Sequence, residues 1–259
     1  MSTRDPLNNL ATPTRNALRN TRLDLAAALR CAAKLGFHEG TCNHFSATVP
    51  GLPNCYLINP FGLHFAEIRA GDLLLLDADG QVIEGEGTVE ASAFYIHSRV
   101  HQANPGAACV LHTHMPYATA ITSLRDGKLA LCHQNAARFY GRIAYDDDAG
   151  GFQGLALATD EGDRIARALG DKSVLMLRSH GPVVTGPTIA QAFDDLYYLE
   201  RVAQVQLLAW SSGQPLADIA RDKAAEVARD FAEQAPVYAH QHFEALKRQL
   251  DRESPDWRG

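Results

Sequence analysis

Ala107-Ala-Cys-Val-Leu-His-Thr-His114 reads as a short apolar strand that ends in two histidines one residue apart. Side chains along a strand alternate between its faces, so residues i and i+2 project from the same one. His112 and His114 can therefore reach a single metal ion, each at the roughly 2.0–2.1 Å usual for an imidazole nitrogen. A hydrogen-bonded pair at a strand end is the other reading of the same spacing. A second H-x-H, His240 and His242, falls in a helical stretch. There, residues two apart stand about 200° from one another around the axis, so that pair reads as surface. His97 and His101 share a helix face at i and i+4. Ser98 follows His97, however, so the H-E-x-x-H pattern of zinc proteases is absent.

Outward from that strand, His180 supplies a third candidate ligand. It ends the strand-like run Val174-Leu-Met-Leu-Arg-Ser-His180 and precedes Gly181-Pro182, and polar groups at such tips commonly point into clefts. Three histidines leave a metal with open positions, the arrangement of catalytic rather than structural sites. A metal so held can polarise a carbonyl as a Lewis acid. Such chemistry needs a proton acceptor, and Glu90 stands upstream in Gly85-Glu-Gly-Thr-Val-Glu90 at the start of an expected helix. A carboxylate favoured there by the helix dipole is the competing reading of Glu90.

The rest of the chain alternates helices and short strands. Residues 1–20 read as a flexible N-terminal arm punctuated by Pro6 and Pro13, and 21–259 as a single domain with a helical C-terminus. An apolar face at Leu23, Ala26, Ala27, Leu29 and Ala33 marks a helix ending at Gly36. Strands are expected over His44 to Val49 and Cys55 to Ile58. A hairpin follows, from Leu73–Asp77 through Asp79-Gly80 into Gln81–Glu84. Thr88 is placed to cap a helix over about Glu90 to Gln102. Further helices are expected from Pro116, over Asp160 to Leu169, and from Thr188 to about Trp210, with a strand over Ser173 to Leu177. The fold class is α/β: a largely antiparallel sheet with helices packed around it.

Composition narrows the function. A chain of 259 residues buries about 70–75% of its unfolded surface and needs no structural metal to stay folded. The net charge of −6, with no run of Lys and Arg, excludes the basic face of a nucleic-acid protein. The longest fully aliphatic run, Leu73 to Leu76, is too short to cross a bilayer. Cys31, Cys42, Cys55, Cys109 and Cys132 are odd in number and have no C-x-x-C spacing, as in a reduced cytoplasmic protein.

Five signals in order now carry a resemblance: G-T-x-x-x-x-S (Gly40 to Ser46), N-P-x-G (Asn59 to Gly62), Glu90, H-T-H (His112 to His114) and S-H-G (Ser179 to Gly181). Over roughly residues 20 to 212 the chain resembles the class II aldolase/adducin family, which includes fuculose-phosphate aldolase and ribulose-phosphate 4-epimerase. The resemblance implies a three-layer fold with a central, mostly antiparallel sheet of about nine strands between helices. It implies His112, His114 and His180 as ligands of a divalent metal, Zn2+ first, with Mn2+, Co2+ or Fe2+ as alternatives. Glu90 matches the glutamate that moves a proton beside a metal-stabilised enediolate. The family's usual homotetramer, with sites at subunit interfaces, is implied too.

Departures from the pattern bear on the substrate. Thr41, Asn43, His44 and Thr88 are the candidate substrate contacts. His44 stands where the sugar-phosphate aldolases carry asparagine, and Thr88-Val89 where they carry two serines, so the phosphate site is at best half kept. The expected function is a metal-dependent aldehyde-lyase that cleaves a carbon–carbon bond of a small hydroxy-carbonyl compound. Decarboxylase, epimerase and Fe(II) oxygenase are the alternatives on the same site, and an adducin-like binding protein is the non-catalytic one. Tyr140, His133 and Tyr238 are candidates for the proton-donating acid, and Arg138 and Arg178 for holding a substrate carboxylate.

Overall fold

The computed structural model describes residues 10–146 and 159–259. Its first helix, α1 (Thr12–Lys34), starts earlier than the sequence suggests. Pro13 sits in its first turn, where a missing N–H costs nothing, and Leu18 is already buried. Residues 12–20 therefore belong to a packed helix rather than to an arm, while residues 1–9 lie outside the described ones.

The strands are β1 (His44–Val49), β2 (Leu52–Ile58), β3 (Leu74–Leu76), β4 (Val82–Glu84), β5 (Cys109–His112), β6 (Ile143–Tyr145), β7 (Val174–Leu177) and β8 (Gly181–Gly186). Among the described residues they form one eight-stranded sheet in the order β4-β3-β2-β1-β5-β8-β7-β6. Only the β6–β7 pair is parallel. The expected hairpin is β3–β4, with Asp77 Oδ1 accepting the N–H groups of Asp79 and Gln81 across the turn. Sequence reading missed β6 and, beside the candidate ligands, the strand β8. Gly181-Pro182 looks like a turn, but the proline lies next to the strand's first residue, where its missing N–H is tolerated.

Helices cover both faces. α1, α3 (Pro116–Thr122), α6 (Ile189–Trp210) and α7 (Arg221–Glu253) bury one face against Phe45, Leu111, Val184 and Met176. On the other face α2 (Ala91–Ala103) and α5 (Thr159–Leu169) pack Ile96, Val100 and Ile165 on Val110, Leu175 and Val183. Consecutive residues such as Val110 and Leu111 thus serve opposite cores, as period-two alternation requires. By the same alternation His44 and Ser46 share the α2 face, while Phe45 and Ala47 take the other. A four-residue helix, α4 (Gln134–Ala137), precedes β6.

Candidate metal centre

The centre lies where β1 and β5 pair in the middle of the sheet. Register sets His44 directly opposite His112. β5 ends at His112, and His114 follows in the segment before α3. His180 stands in the three-residue link between β7 and β8, whose ends Leu177 and Gly181 are paired. That link is conformationally demanding. Ser179 has φ +54° and Gly181 φ +153°, and a Cβ on Gly181 would lie 2.6 Å from Thr113 O. Only glycine lets the strand start that close to the His114 segment.

His112, His114 and His180 bring one ring nitrogen each to within 4.8 Å of one another. Their ring centroids are 4.7–5.0 Å apart. His112 Nδ1 lies 3.0 Å from Pro182 O, so it carries the proton and donates. His114 Nδ1 lies 2.6 Å from Glu39 Oε2 and does the same. In neutral rings this leaves two bare Nε2 lone pairs, and they face each other at 3.2 Å. A cation beside them satisfies both, as in carboxylate– and carbonyl–histidine–metal relays. Burial drives His112 well below its ordinary pKa, with His180 and His44 adding to the effect. Burial and then His114 lower His180 to about 4. Unprotonated imidazoles are what a metal requires. The donor set therefore fits a divalent ion.

Glu90 is electrostatically coupled to His44 and is the N-cap of α2, a place that sequence reading assigns to Thr88. Its Oε2 accepts the Ala93 N–H at 2.8 Å and the Ser92 hydroxyl. Burial alone would raise its pKa, but the bonds from Ser92 and Ala93, together with His44, win and lower it. Glu90 is thus a carboxylate that caps a helix and also shares an electrostatic environment with His44.

The remaining candidates divide. Asn43 is buried, and its Oδ1 accepts the Glu39 N–H at 2.7 Å, which steadies the loop carrying the partner of His114. Asn59 of the N-P-x-G stretch holds this segment from behind, accepting the Phe45 N–H and donating to Asn43 O. Thr41 is half-buried and Thr88 exposed; neither side chain hydrogen-bonds among the described residues. Tyr238 is exposed on α7. Tyr140 lines a separate cavity of about 540 Å³ with Phe139, Tyr145 and Arg221, away from the triad. His133 is the N-cap residue of α4, with a buried Nε2 that has no partner among the described residues.

Arg138 is not a substrate anchor: it is buried, paired with Asp194 and Asp195 of α6, and stacked 4.3 Å from the Tyr198 ring. Arg178 donates to Arg125 O at 2.7 Å. His240 is exposed, but His242 is half-buried and bonds Asp194 at 2.7 Å, so only the first is plain surface. His97 and His101 do not join the triad. They extend inward from His44 through Ser46, a connection that sequence reading missed. Its signal was present: His44 and Ser46 share a strand face, and His97 and His101 a helix face.

The chain belongs to the class II aldolase and adducin family: the profile of the Class II Aldolase and Adducin N-terminal domain matches residues 23–207. A putative aldolase class 2 protein of Caulobacter vibrioides is 34% identical over 238 residues, 91% of each chain. Decarboxylase NovR of Streptomyces niveus is 35% identical over 206 residues, 79% of this chain and 73% of NovR. Among solved structures, L-fuculose 1-phosphate aldolase from Glaciozyma antarctica superposes with a TM-score of 0.85 at 28% identity, covering 96% of both chains. The family's three-layer α/β fold is thus present, with eight strands among the described residues where about nine were expected.

Proposed function

We propose that this chain is a divalent-metal-dependent lyase that cleaves a carbon–carbon bond of a small hydroxy-carbonyl compound by aldol cleavage. The observation that carries the reading is the pair of Nε2 atoms 3.2 Å apart, each on a ring whose Nδ1 is already committed, with His180 beside them. His112, His114 and His180 would hold the ion, with Zn2+ first in expectation and Mn2+, Co2+ or Fe2+ behind it. When bound, such an ion supplies Lewis-acid stabilisation of negative charge on neighbouring substrate oxygens.

The residues then have distinct tasks. Glu39 and the Pro182 carbonyl fix the tautomers of His114 and His112. Glu90, held by Ser92 and Ala93 through Oε2, would move the proton. In cleavage the Glu90 carboxylate would take up the proton of the substrate hydroxyl, the carbon–carbon bond breaks to give a new carbonyl, and the electron pair stays on the carbon next to the original carbonyl. Glu90 delivers a proton to that carbon and takes it back in the reverse direction. Its lowered pKa makes the carboxylate ready for the synthetic direction at neutral pH. Thr41, Asn43, His44 and Thr88 remain the proposed substrate contacts.

Decarboxylation is the second reading, favoured by the similarity to NovR; it leaves an electron pair on the same kind of carbon. Elemental analysis of the purified protein, followed by a screen of hydroxy-carbonyl compounds and hydroxy acids, tests both. Near-stoichiometric metal with aldehyde release is the expected result. Carbon dioxide release would move the chain to the second reading, and failure to take up any divalent ion would remove both. In whichever assay responds, Glu90→Gln is expected to lose about 10²–10⁴-fold in turnover while keeping its metal. A fully active variant would take Glu90 out of the mechanism.

The reading includes a homotetramer in a reducing, cytoplasmic setting. Unpaired Cys31, Cys42, Cys55, Cys109 and Cys132 agree with that setting. Leu208 and Val205 on α6 and Val237 and Tyr238 on α7 leave apolar surface to cover. No described helix is long and apolar enough to cross a membrane. Sedimentation velocity should show the tetramer, and a monomer at micromolar concentration would dismiss it.

A further inference from the structure

Behind the metal centre runs a line of hydrogen bonds through the interior. His44 Nδ1 is 2.8 Å from His97 Nε2, His97 Nδ1 is 2.5 Å from Ser46 Oγ, and Ser46 Oγ is 2.7 Å from His101 Nε2. The line ends where His101 Nδ1 meets Ala107 O at 2.7 Å. His44, Ser46 and His97 are buried.

The far end sets the direction of every bond. A carbonyl oxygen only accepts, so His101 Nδ1 carries the hydrogen. In the neutral ring His101 Nε2 is then an acceptor, and the Ser46 hydroxyl must donate to it. Ser46 has one hydrogen, so its remaining contact is as acceptor from His97 Nδ1–H. His97 Nε2 is left bare and accepts from His44 Nδ1–H. The last atom, His44 Nε2, therefore carries no hydrogen. It makes no hydrogen bond among the described residues, and the ring lies 5.0 Å from that of His112 between centroids.

One extra proton inside the line would reverse this outcome. Such a proton would sit on His97 or His101; among the described residues the fully buried His97 hydrogen-bonds an imidazole and a hydroxyl, and His101 a hydroxyl and a carbonyl, with no carboxylate on either. Desolvation holds such a ring neutral. Burial lowers His97 far below its usual range and takes His101 to about 4. The line also does not conduct protons away, because the Ala107 carbonyl is no proton sink. Its effect is to fix one tautomer at its inner end.

We infer that His44 presents a bare Nε2 to the substrate and selects a compound that offers a hydroxyl hydrogen there over one that offers a phosphate oxygen. An acceptor facing a phosphate oxygen is two lone pairs in contact, with both groups stripped of water. An acceptor facing a hydroxyl is a hydrogen bond. His44 is thus a specificity-determining contact, and Ser46, His97 and His101 are positioning residues that act through it. This rests on the metal-centred reading above for the location of the substrate, but not for the tautomer itself.

Two measurements test it. In metal-free protein with 15N-labelled histidine, long-range proton–nitrogen NMR reads each ring's tautomer, and His44→Asn identifies the His44 signals. His44 and His97 should both carry the hydrogen on Nδ1. Ser46→Ala should scramble the tautomers of His44 and His97 and leave that of His101, which its backbone carbonyl holds. An Nε2–H on His44 in the wild type would overturn the inference. For the second measurement, zinc-loaded protein is titrated calorimetrically with glycolate and 2-phosphoglycolate, which differ by one phosphoryl group. Glycolate should bind at least about tenfold more tightly, and His44→Asn, whose amide can donate, should shift that ratio about tenfold toward the phosphorylated ligand. Equal or tighter binding of phosphoglycolate to the wild type, or a ratio unmoved in the variant, would also overturn it. If zinc does not bind at all, the metal reading fails, and the tautomer experiment still decides this one.

Discussion

Replacing His180 with alanine should cost the protein two to three powers of ten in zinc affinity while leaving its fold intact. The three rings occupy one cluster, so each contributes a comparable share. Zinc sites built from four protein ligands are worth roughly 10–16 kcal/mol, which makes one ligand worth about 3 kcal/mol, or roughly a hundredfold or more in affinity. His180 sits in a link between strands, partly exposed, and not in the core. Its removal therefore leaves no apolar cavity. Glu39→Ala should be milder, about 10–100-fold, because Glu39 acts only by fixing the His114 tautomer. His240→Ala, exposed on α7, serves as the control and should change nothing. Isothermal titration with zinc on the apo-protein gives all three numbers. Wild-type affinity in the His180 variant would show that the third ligand is another group.

Arg138→Met should be the most destabilising single change on the α6 side. The guanidinium is buried between Asp194 and Asp195, whose side chains are 2% and 8% exposed. Arg142 also reaches Asp195, and His242 reaches Asp194, but neither is as deeply placed. Removing the central cation leaves two carboxylates short of their main partner in a low-dielectric setting. Breaking a buried pair in this way typically costs about 3–5 kcal/mol. For a chain of this size that corresponds to a fall in melting temperature of about 6–20 °C. Removing the acceptor as well, in Arg138→Met/Asp194→Asn, should recover part of the loss, because the unpaired charge goes with it. Calorimetry on the four proteins of this cycle measures the coupling. A cost below about 1 kcal/mol would mean that water solvates the aspartates in place of the arginine.

The sequence carried the metal centre further than it carried its surroundings. Strand alternation at His112 and His114 is a local rule, and the Ser179-His-Gly181 turn is a local shape, so both were legible. His44 opposite His112 was not, because register between β1 and β5 is a property of two distant segments. His97 and His101 were rejected as ligands, and the structure agrees, yet their helix spacing was pointing at a different partner. Ser46 completes the connection and was legible only as the last residue of the Gly40-to-Ser46 pattern. Asn59 was recognised only as part of a pattern, since its two bonds to the 43–45 segment exist only after folding. Glu90 shows the opposite difficulty. Both readings of it, helix cap and acid–base group, were available beforehand, and the structure realises the first without displacing the second. At the N-terminus the prolines suggested looseness, whereas Pro13 simply opens a helix.

The sheet order has a further consequence. Strands β1 to β4 form one side and β5 to β8 the other, and among the described residues the ladder joining them is β1–β5. His44 is contributed by the first half, and the three proposed ligands His112, His114 and His180 all by the second. A nascent or unfolding chain can make its local hairpins without ever making the centre, because closing the long loop between β1 and β5 carries its own entropic cost. Metal capture itself needs the still longer closure that pairs β5 with β8 inside the second half, and only the approach of His44 waits for the β1–β5 seam. During refolding, the moment of tight uptake would timestamp the assembly of the second half, and an ion already present would act as a latch between β5 and the β7–β8 link.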